Sequence, residues 1–121
     1  MTEKMGFETS RRFTKVFKNQ PITATIGGKT YTYESRTLEY PFAQYLQFMK
    51  EAGQIKDWWY EQTTFEDKRS KMKWVMDFDV RNNDDTFEYY ECKGYAVLTN
   101  VRWKLDIMHE TKPEVQITMV F

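Results

Sequence analysis

Two segments of strand character, residues 74–80 and 87–93, flank the short polar segment 81–85. The first contains Asp77 and Asp79, and the second ends with Glu91-Cys92-Lys93. Successive side chains of a strand point to opposite faces of its sheet. We therefore predict an antiparallel pair that brings Asp77, Glu91 and Lys93 together on one face. The apolar side chains of the first segment are expected on the opposite face: Trp74, Met76, Phe78 and Val80.

This grouping of side chains predicts a particular chemistry. The carboxylates of Asp77 and Glu91 would make an oxygen-rich site for Mg²⁺ or Mn²⁺, and the backbone carbonyl of Cys92 would add a ligand. An ammonium group beside the metal, from Lys93, would orient an attacking water, favour its deprotonation or stabilise charge on phosphorus. Phosphodiester hydrolysis needs these functions, so the pattern indicates a metal-dependent nuclease.

Less specific interpretations exist for the same residues. Glu-x-Lys on a strand is also common as a solvated charge pair, and it is the matching orientation of Asp77 that favours a metal site. Asp79 would either bind a second metal or be a polar residue on a partly open face. His109 is expected to interact with a helix C-terminus rather than with substrate. The Cys92 side chain is expected in the core.

The rest of the chain predicts a polar arm over residues 1–20 and one domain over 21–121. A β-hairpin turns at Gly27-Gly28, and a helix ends at Gly53. The helix start is open, because Pro41 requires either a kink after a Ser35 cap or regular helix from about Tyr40. The remaining predicted elements are a strand over 55–66, a charged turn over 67–73, a helix over 101–109 capped by Thr99 or Asn100, and a strand over 115–121.

These elements predict an α/β fold. Its mixed sheet is flanked by helices, and a β-hairpin precedes it. The formal net charge is zero, which argues against a simple DNA-coating protein but not against a nuclease. A single cysteine and the lack of a long apolar run favour a cytoplasmic protein without membrane contact.

Basic residues are concentrated in two stretches. We expect them either to contact DNA phosphates or to be ordinary surface charge. The members are Arg11, Arg12, Lys15 and Lys18 in the first stretch, and Lys68, Arg69, Lys71 and Lys73 in the second.

Asp77-Phe78, followed by Glu91-Cys92-Lys93-Gly94, resembles the PD-(D/E)XK nuclease superfamily. Residues 22–121 are similar to a group of small phage proteins within it. The matching segments are Ser35-Arg36-Thr37-Leu38-Glu39, Glu61-Gln62-Thr63-Thr64-Phe65 and Trp103-Lys104. Two departures stand out: Met76 replaces the proline of the superfamily name, and Leu38 occupies the usual position of the helix glutamate, one residue before Glu39.

The resemblance implies a restriction-endonuclease-like core with the order αβββαβ, in which the three consecutive strands form an antiparallel meander. It implies that Asp77 and Glu91 bind Mg²⁺ or Mn²⁺ and that Lys93 is the catalytic lysine. Glu39 would be the helix carboxylate, unless the shifted position removes it from the site, in which case Glu34 is a weaker substitute. Gln62 and Lys104 would be accessory.

The expected function is a phage-encoded DNA endonuclease that acts in recombination on branched DNA, such as a four-way (Holliday) junction, as a homodimer. Two alternatives remain open. One is a non-catalytic nucleic-acid-binding module of the same fold, which the displaced Glu39 favours. The other is a phage interaction protein that inhibits a host enzyme. An acidic turn and exposed aromatic residues would suit such an inhibitor.

Overall fold

The computed structural model describes residues 20–92 and 98–121. The predicted polar arm, its four basic residues and Lys93 lie outside the described residues. The elements are β1 (Ile22–Ile26), β2 (Lys29–Tyr33), α1 (Glu39–Glu51), β3 (Asp57–Tyr60), β4 (Thr64–Asp67), β5 (Met72–Val75), β6 (Phe78–Arg81), β7 (Phe87–Cys92), α2 (Leu98–Thr111) and β8 (Ile117–Val120). The chain forms two compact units, which divide between Gln44 and Tyr45.

The first unit contains the predicted β-hairpin. β1 and β2 pair antiparallel, with Ile26 opposite Lys29, so only Gly27 and Gly28 connect them. Both glycines have positive φ, 58° and 82°, which is the backbone of the two-residue turns that suit the twist of a hairpin. The prediction of a hairpin turning at these two glycines is confirmed.

Helix α1 begins at Glu39, which decides between the two predicted starts. The Ser35 hydroxyl accepts a hydrogen bond from the Leu38 amide at 3.0 Å, just before the helix. Pro41 then lies in the first turn, where the missing amide hydrogen has no intrahelical acceptor to lose. The last helical residue is Glu51, and Gly53 stops the helix as predicted: it has φ 75°, and its amide donates to the Lys50 carbonyl at 3.0 Å.

The second unit is built on a four-stranded sheet with the order β3-β6-β7-β8. The first three strands are antiparallel neighbours, and β8 runs parallel to β7. A parallel neighbour requires a crossover connection, and α2 provides it. The mixed α/β class is therefore as predicted.

The strands predicted over 55–66 and 74–80 are not continuous, so both predictions are wrong in extent. Strand β4, at the end of the first predicted strand, and strand β5, at the start of the second, form a separate two-stranded sheet, here called the ribbon. Where the ribbon joins the main sheet, the Glu61 amide donates to the Asp77 carbonyl and the Met76 amide donates to the Thr63 carbonyl, both at 2.9 Å. Gln62 is thus an additional residue on one side, which makes a bulge and bends both chains.

The bend also changes which face the apolar side chains occupy. Trp74 and Met76 belong to a buried cluster with residues of α2. Phe78, beyond the bend, instead contacts Trp58 and Tyr60 of β3, with ring centroids 6.2 and 5.2 Å apart. The prediction that the apolar residues from Trp74 to Val80 share one face is therefore wrong, because it assumed an unbroken strand.

Smaller differences concern the C-terminal elements. Helix α2 begins at Leu98, so Thr99 and Asn100 lie within its first turn and do not precede it as caps. Strand β8 is shorter than the predicted 115–121. The Cys92 side chain is buried, as expected. Within the described ranges 20–92 and 98–121, neither helix is long and apolar enough to cross a membrane.

Candidate active site

Asp77 and Glu91 lie where β6 separates from β7. The last paired residues are Phe78 and Tyr90, and the same register places Asp77 opposite Glu91. On the N-terminal side of Phe78, the chain leaves the main sheet and continues into the ribbon. Asp77 Oδ2 accepts a hydrogen bond from the Cys92 amide at 2.8 Å. Glu91 Oε1 in turn accepts from the Asp77 amide at 3.1 Å. The structure thus brings the two predicted carboxylates together.

Both carboxylates are shielded from solvent. Glu91 is 1% exposed and Asp77 is 8% exposed. The second oxygen of Glu91, Oε2, accepts a hydrogen bond from the Trp74 indole nitrogen at 2.8 Å. Hydrogen bonds to an ionised acceptor are stronger than those between neutral groups. Glu91 is therefore fixed from two directions, by the ribbon and by the chain at the bend.

Lys104, predicted as an accessory residue, lies close to this site. Its Nζ is 5.8 Å from the centroid of the Trp74 ring, within the range of a cation–π contact. The same indole donates to Glu91, so Lys104 is one side chain away from the carboxylate. Helix α2 positions this lysine, as the sequence suggested.

The carboxylate pair fits a divalent cation in its chemistry. Two carboxylates held side by side repel each other, and a cation between them relieves that repulsion. Their oxygens are the hard donors that Mg²⁺ and Mn²⁺ prefer. Among residues 20–92 and 98–121, however, no group of three or more His, Cys, Asp and Glu side chains is arranged to hold a metal ion. The described residues thus provide two of the ligands that such an ion needs.

Asp79 is a buried residue whose importance the sequence did not reveal. It is 1% exposed, so the expectation of a partly open face is wrong. Its Oδ2 accepts hydrogen bonds from the Thr63 hydroxyl and from Gln62 Nε2, the latter at 3.2 Å. Burial raises the pKa of this carboxyl above its ordinary range, and the two hydrogen bonds only partly oppose the rise. Its Oδ1 is buried without a hydrogen-bond partner among the described atoms.

Gln62, the other predicted accessory residue, therefore contacts Asp79 rather than Asp77 or Glu91. Adjacent residues of a regular strand point to opposite faces, yet Gln62 and Thr63 reach the same oxygen. The bulge makes this possible, because its additional residue disrupts the alternation. The neighbouring Glu61 has φ 49°, which is uncommon for a residue other than glycine. Asp79 thus holds the irregular segment that lies beside Asp77.

Glu39 lies in the first unit, at the first residue of α1, and is 5% exposed. Its Oε1 accepts a hydrogen bond from the Glu34 amide at 2.8 Å. This bond satisfies a backbone donor just before the helix, in the manner of a capping interaction. The structure therefore gives Glu39 a defined role at the helix start. Glu34, the substitute, has an exposed side chain.

The remaining candidates are on the surface. Lys71 and Lys73 belong to the ribbon and are exposed, and Lys73 pairs with Glu66 at 3.5 Å. His109 is exposed near the end of α2. No protein-family model matches the chain, and no curated protein is significantly similar to it. Any assignment of function therefore depends on the geometry around Asp77 and Glu91.

Proposed function

We propose that this protein is a Mg²⁺- or Mn²⁺-dependent DNA endonuclease of the PD-(D/E)XK type. The observation that carries the proposal is the meeting of Asp77 and Glu91 where β6 and β7 separate, each bonded to the backbone beside the other. An aspartate and the glutamate of a Glu-x-Lys sequence on neighbouring strands are the metal ligands of that superfamily by the resemblance described above.

The order of elements supports the same proposal. Helix α1 precedes the antiparallel strands β3, β6 and β7, and α2 then leads to β8, which is parallel to β7. With β4 and β5 set aside, this order is compatible with the αβββαβ core that the resemblance implies. The ribbon is an extension between the first two strands of that core. Fold order alone does not establish an activity, so the site carries the functional argument.

The proposed roles of Asp77, Glu91 and Trp74 follow from their placement, and that of Lys93 follows from the resemblance. Asp77 and Glu91 would hold the cation, and the Cys92 carbonyl would be a further ligand. When bound, the cation would neutralise charge on the phosphate and lower the pKa of a bound water. Lys93 is proposed to orient the attacking water and to stabilise charge on phosphorus. Trp74 fixes the orientation of Glu91.

The proposed substrate is branched DNA, in particular a four-way junction formed during recombination. A homodimer would present two active sites to such a junction. The basis for both is analogy with the family that the chain resembles. We further propose that the protein is phage-encoded and acts in the host cytoplasm.

A non-catalytic nucleic-acid-binding module is the second candidate, and one observation favours it. Asp77 and Glu91 accept hydrogen bonds from backbone amides at the strand separation. These bonds give both carboxylates a structural role that requires no metal. Only a measurement of cleavage separates the two candidates.

The test is a cleavage assay on linear duplex, single-stranded, flap and four-way-junction DNA, each with Mg²⁺, Mn²⁺ or EDTA. The variants are Asp77→Asn, Glu91→Gln and Lys93→Ala. Asn retains an oxygen that can accept from the Cys92 amide, so Asp77→Asn removes the charge with little change in shape. Asp106→Asn is the matched control, because Asp106 is an exposed carboxylate of α2.

We expect metal-dependent cleavage, strongest on the junction, by the wild type and by Asp106→Asn. The three site variants should lose at least about 100-fold in rate, the usual scale for removing one stabilising group. Circular dichroism must show that each variant is folded. DNA binding without cleavage under every metal condition would favour the second candidate, and no DNA binding would point to the interaction protein.

A further inference from the structure

The ribbon ends in a cationic loop. Asp67 pairs with Met72, so four residues, 68–71, connect β4 to β5. Three of the four are the exposed cations Lys68, Arg69 and Lys71. We refer to these three side chains as the ribbon tip.

The acidic residues beside the ribbon tip are already engaged in local bonds. Asp67 Oδ2 accepts hydrogen bonds from the Ser70 amide at 2.9 Å and from its hydroxyl at 2.6 Å. These bonds lower the pKa of Asp67 and hold the loop in shape. Glu66 pairs with Lys73 across the ribbon. The acids thus stabilise the loop, while the three cations of the tip point to solvent.

Lys71 occupies a backbone conformation that favours glycine. Its φ is 63°, in the left-handed region, where a side chain beyond glycine is disfavoured by roughly 1–2 kcal/mol. Elsewhere in the described residues, positive φ occurs at three glycines and also at Glu61 and Asp85. A glycine would suit the backbone at position 71 better than lysine, so the Lys71 side chain can be removed without a cost to the fold.

The position of the tip relative to the carboxylate pair is fixed. Met72 and Trp74 of β5 are buried in the cluster formed with α2, and Lys112 Nζ donates to the Glu66 carbonyl at 3.0 Å. Lys71 precedes Asp77 by six residues. At about 3.3 Å per strand residue, the two are at most about 20 Å apart, the length of roughly six base pairs.

We propose that the ribbon tip binds backbone phosphates of a DNA duplex, within about six base pairs of the phosphate held at Asp77 and Glu91. This inference rests on the proposed function for the nature of the ligand. It adds a second place, the ribbon tip, at which the DNA must contact the protein. DNA therefore needs a duplex arm on at least one side of the cut. Because phosphate contacts are independent of sequence, the tip contributes affinity and not base preference.

The experiment measures binding of a fluorescently labelled 24-base-pair duplex in EDTA, by anisotropy, over a range of salt concentrations. The test variant replaces the three cations of the tip with glutamine. The control makes the same change at three cations elsewhere, Lys29, Arg36 and Lys56. We expect the test variant to bind the duplex at least about tenfold more weakly than the control. The slope of the logarithm of the binding constant against the logarithm of the salt concentration should be smaller by about two to three, since each phosphate contact contributes about 0.9 to it.

Two single variants separate charge from folding. Lys71→Gly should unfold at the same or a higher temperature than the wild type, because glycine suits the backbone, and should bind the duplex more weakly. Lys71→Arg should bind like the wild type. Equal binding by the test triple and the control triple would overturn the inference, as would the absence of duplex binding by the wild type.

The same variants distinguish failure of this inference from failure of the proposed function. If the wild type cleaves DNA but the test triple binds as well as the control, the inference is wrong and the nuclease proposal stands. If no cleavage occurs but the triple still binds more weakly than its control, the tip contacts DNA in a protein that is not a nuclease.

Discussion

Replacing Trp74 with phenylalanine tests whether the ribbon holds Glu91 in place. The substitution removes the indole N–H that donates to Glu91 Oε2 at 2.8 Å. It also removes part of a side chain that is only 3% exposed. A hydrogen bond to a charged group contributes about 1.5–3 kcal/mol, compared with about 0.5–1.5 kcal/mol for a neutral pair. Because the acceptor is a carboxylate, we expect Trp74→Phe to lose more stability than the smaller ring alone would cost.

Trp58 offers a matched control within the same unit. It is fully buried, and its indole nitrogen donates to the neutral Gln47 Oε1 at 2.9 Å. Trp58→Phe removes the same ring atoms and a neutral hydrogen bond. The two variants should therefore differ by about 1–1.5 kcal/mol in the free energy of unfolding, with Trp74→Phe the less stable.

Urea denaturation followed by circular dichroism measures both variants against the wild type. For a chain of this length the difference corresponds to roughly 4–6 °C in melting temperature. Equal losses in the two variants, or a greater loss for Trp58→Phe, would refute the claim that the indole bond to the Glu91 carboxylate is the stronger of the two. A change in the urea dependence of either variant would show that the comparison is not two-state.

Two further predictions concern the bulge and the end of α1. Burial raises the pKa of Asp79 above its ordinary 3.8, so the folded state favours the protonated carboxyl. This preference stabilises the folded wild type below pH 3.8, and the stabilisation is lost as pH rises through the raised pKa. The asparagine of Asp79→Asn does not titrate, so the melting temperature of this variant should rise relative to that of the wild type between pH 4 and pH 7. A difference in melting temperature that stays the same over this range would contradict the raised pKa of Asp79. Gly53→Ala should lower the free energy of unfolding by about 1 kcal/mol in urea denaturation, because alanine is strained at a φ of 75°. The added methyl group meets no atom within 4 Å, so the strain comes from the backbone alone. A variant more stable than the wild type would contradict the assigned helix end.

The features that could be predicted from the sequence are those governed by local chemistry. Gly27-Gly28 and Gly53 mark places where the backbone needs positive φ, and the turn and helix end follow. The alternation of side chains correctly predicted that Asp77 and Glu91 meet, because both lie one residue beyond the last pair of β6 and β7, Phe78 and Tyr90.

The bend at Met76 could not be predicted in this way, because its cause lies on the facing strand. Residues 74–80 alternate regularly, and nothing in them indicates a break. The break arises because Gln62 is an additional residue opposite them, and only the pairing of the two chains reveals it. The burial of Asp79 depends on the same bulge, since Gln62 and Thr63 supply its hydrogen bonds.

The central claim is that Asp77 and Glu91 share one divalent cation, and paramagnetic Mn²⁺ tests it directly. The indole N–H of Trp74 is one hydrogen bond from Glu91, whereas that of Trp58 bonds to Gln47. In a ¹H–¹⁵N spectrum, with both indole resonances assigned through the two phenylalanine variants, small additions of Mn²⁺ should broaden the Trp74 signal before the Trp58 signal. Asp77→Asn should abolish the selective broadening. Equal broadening of both indoles, or selective broadening that persists in Asp77→Asn, would contradict the claim.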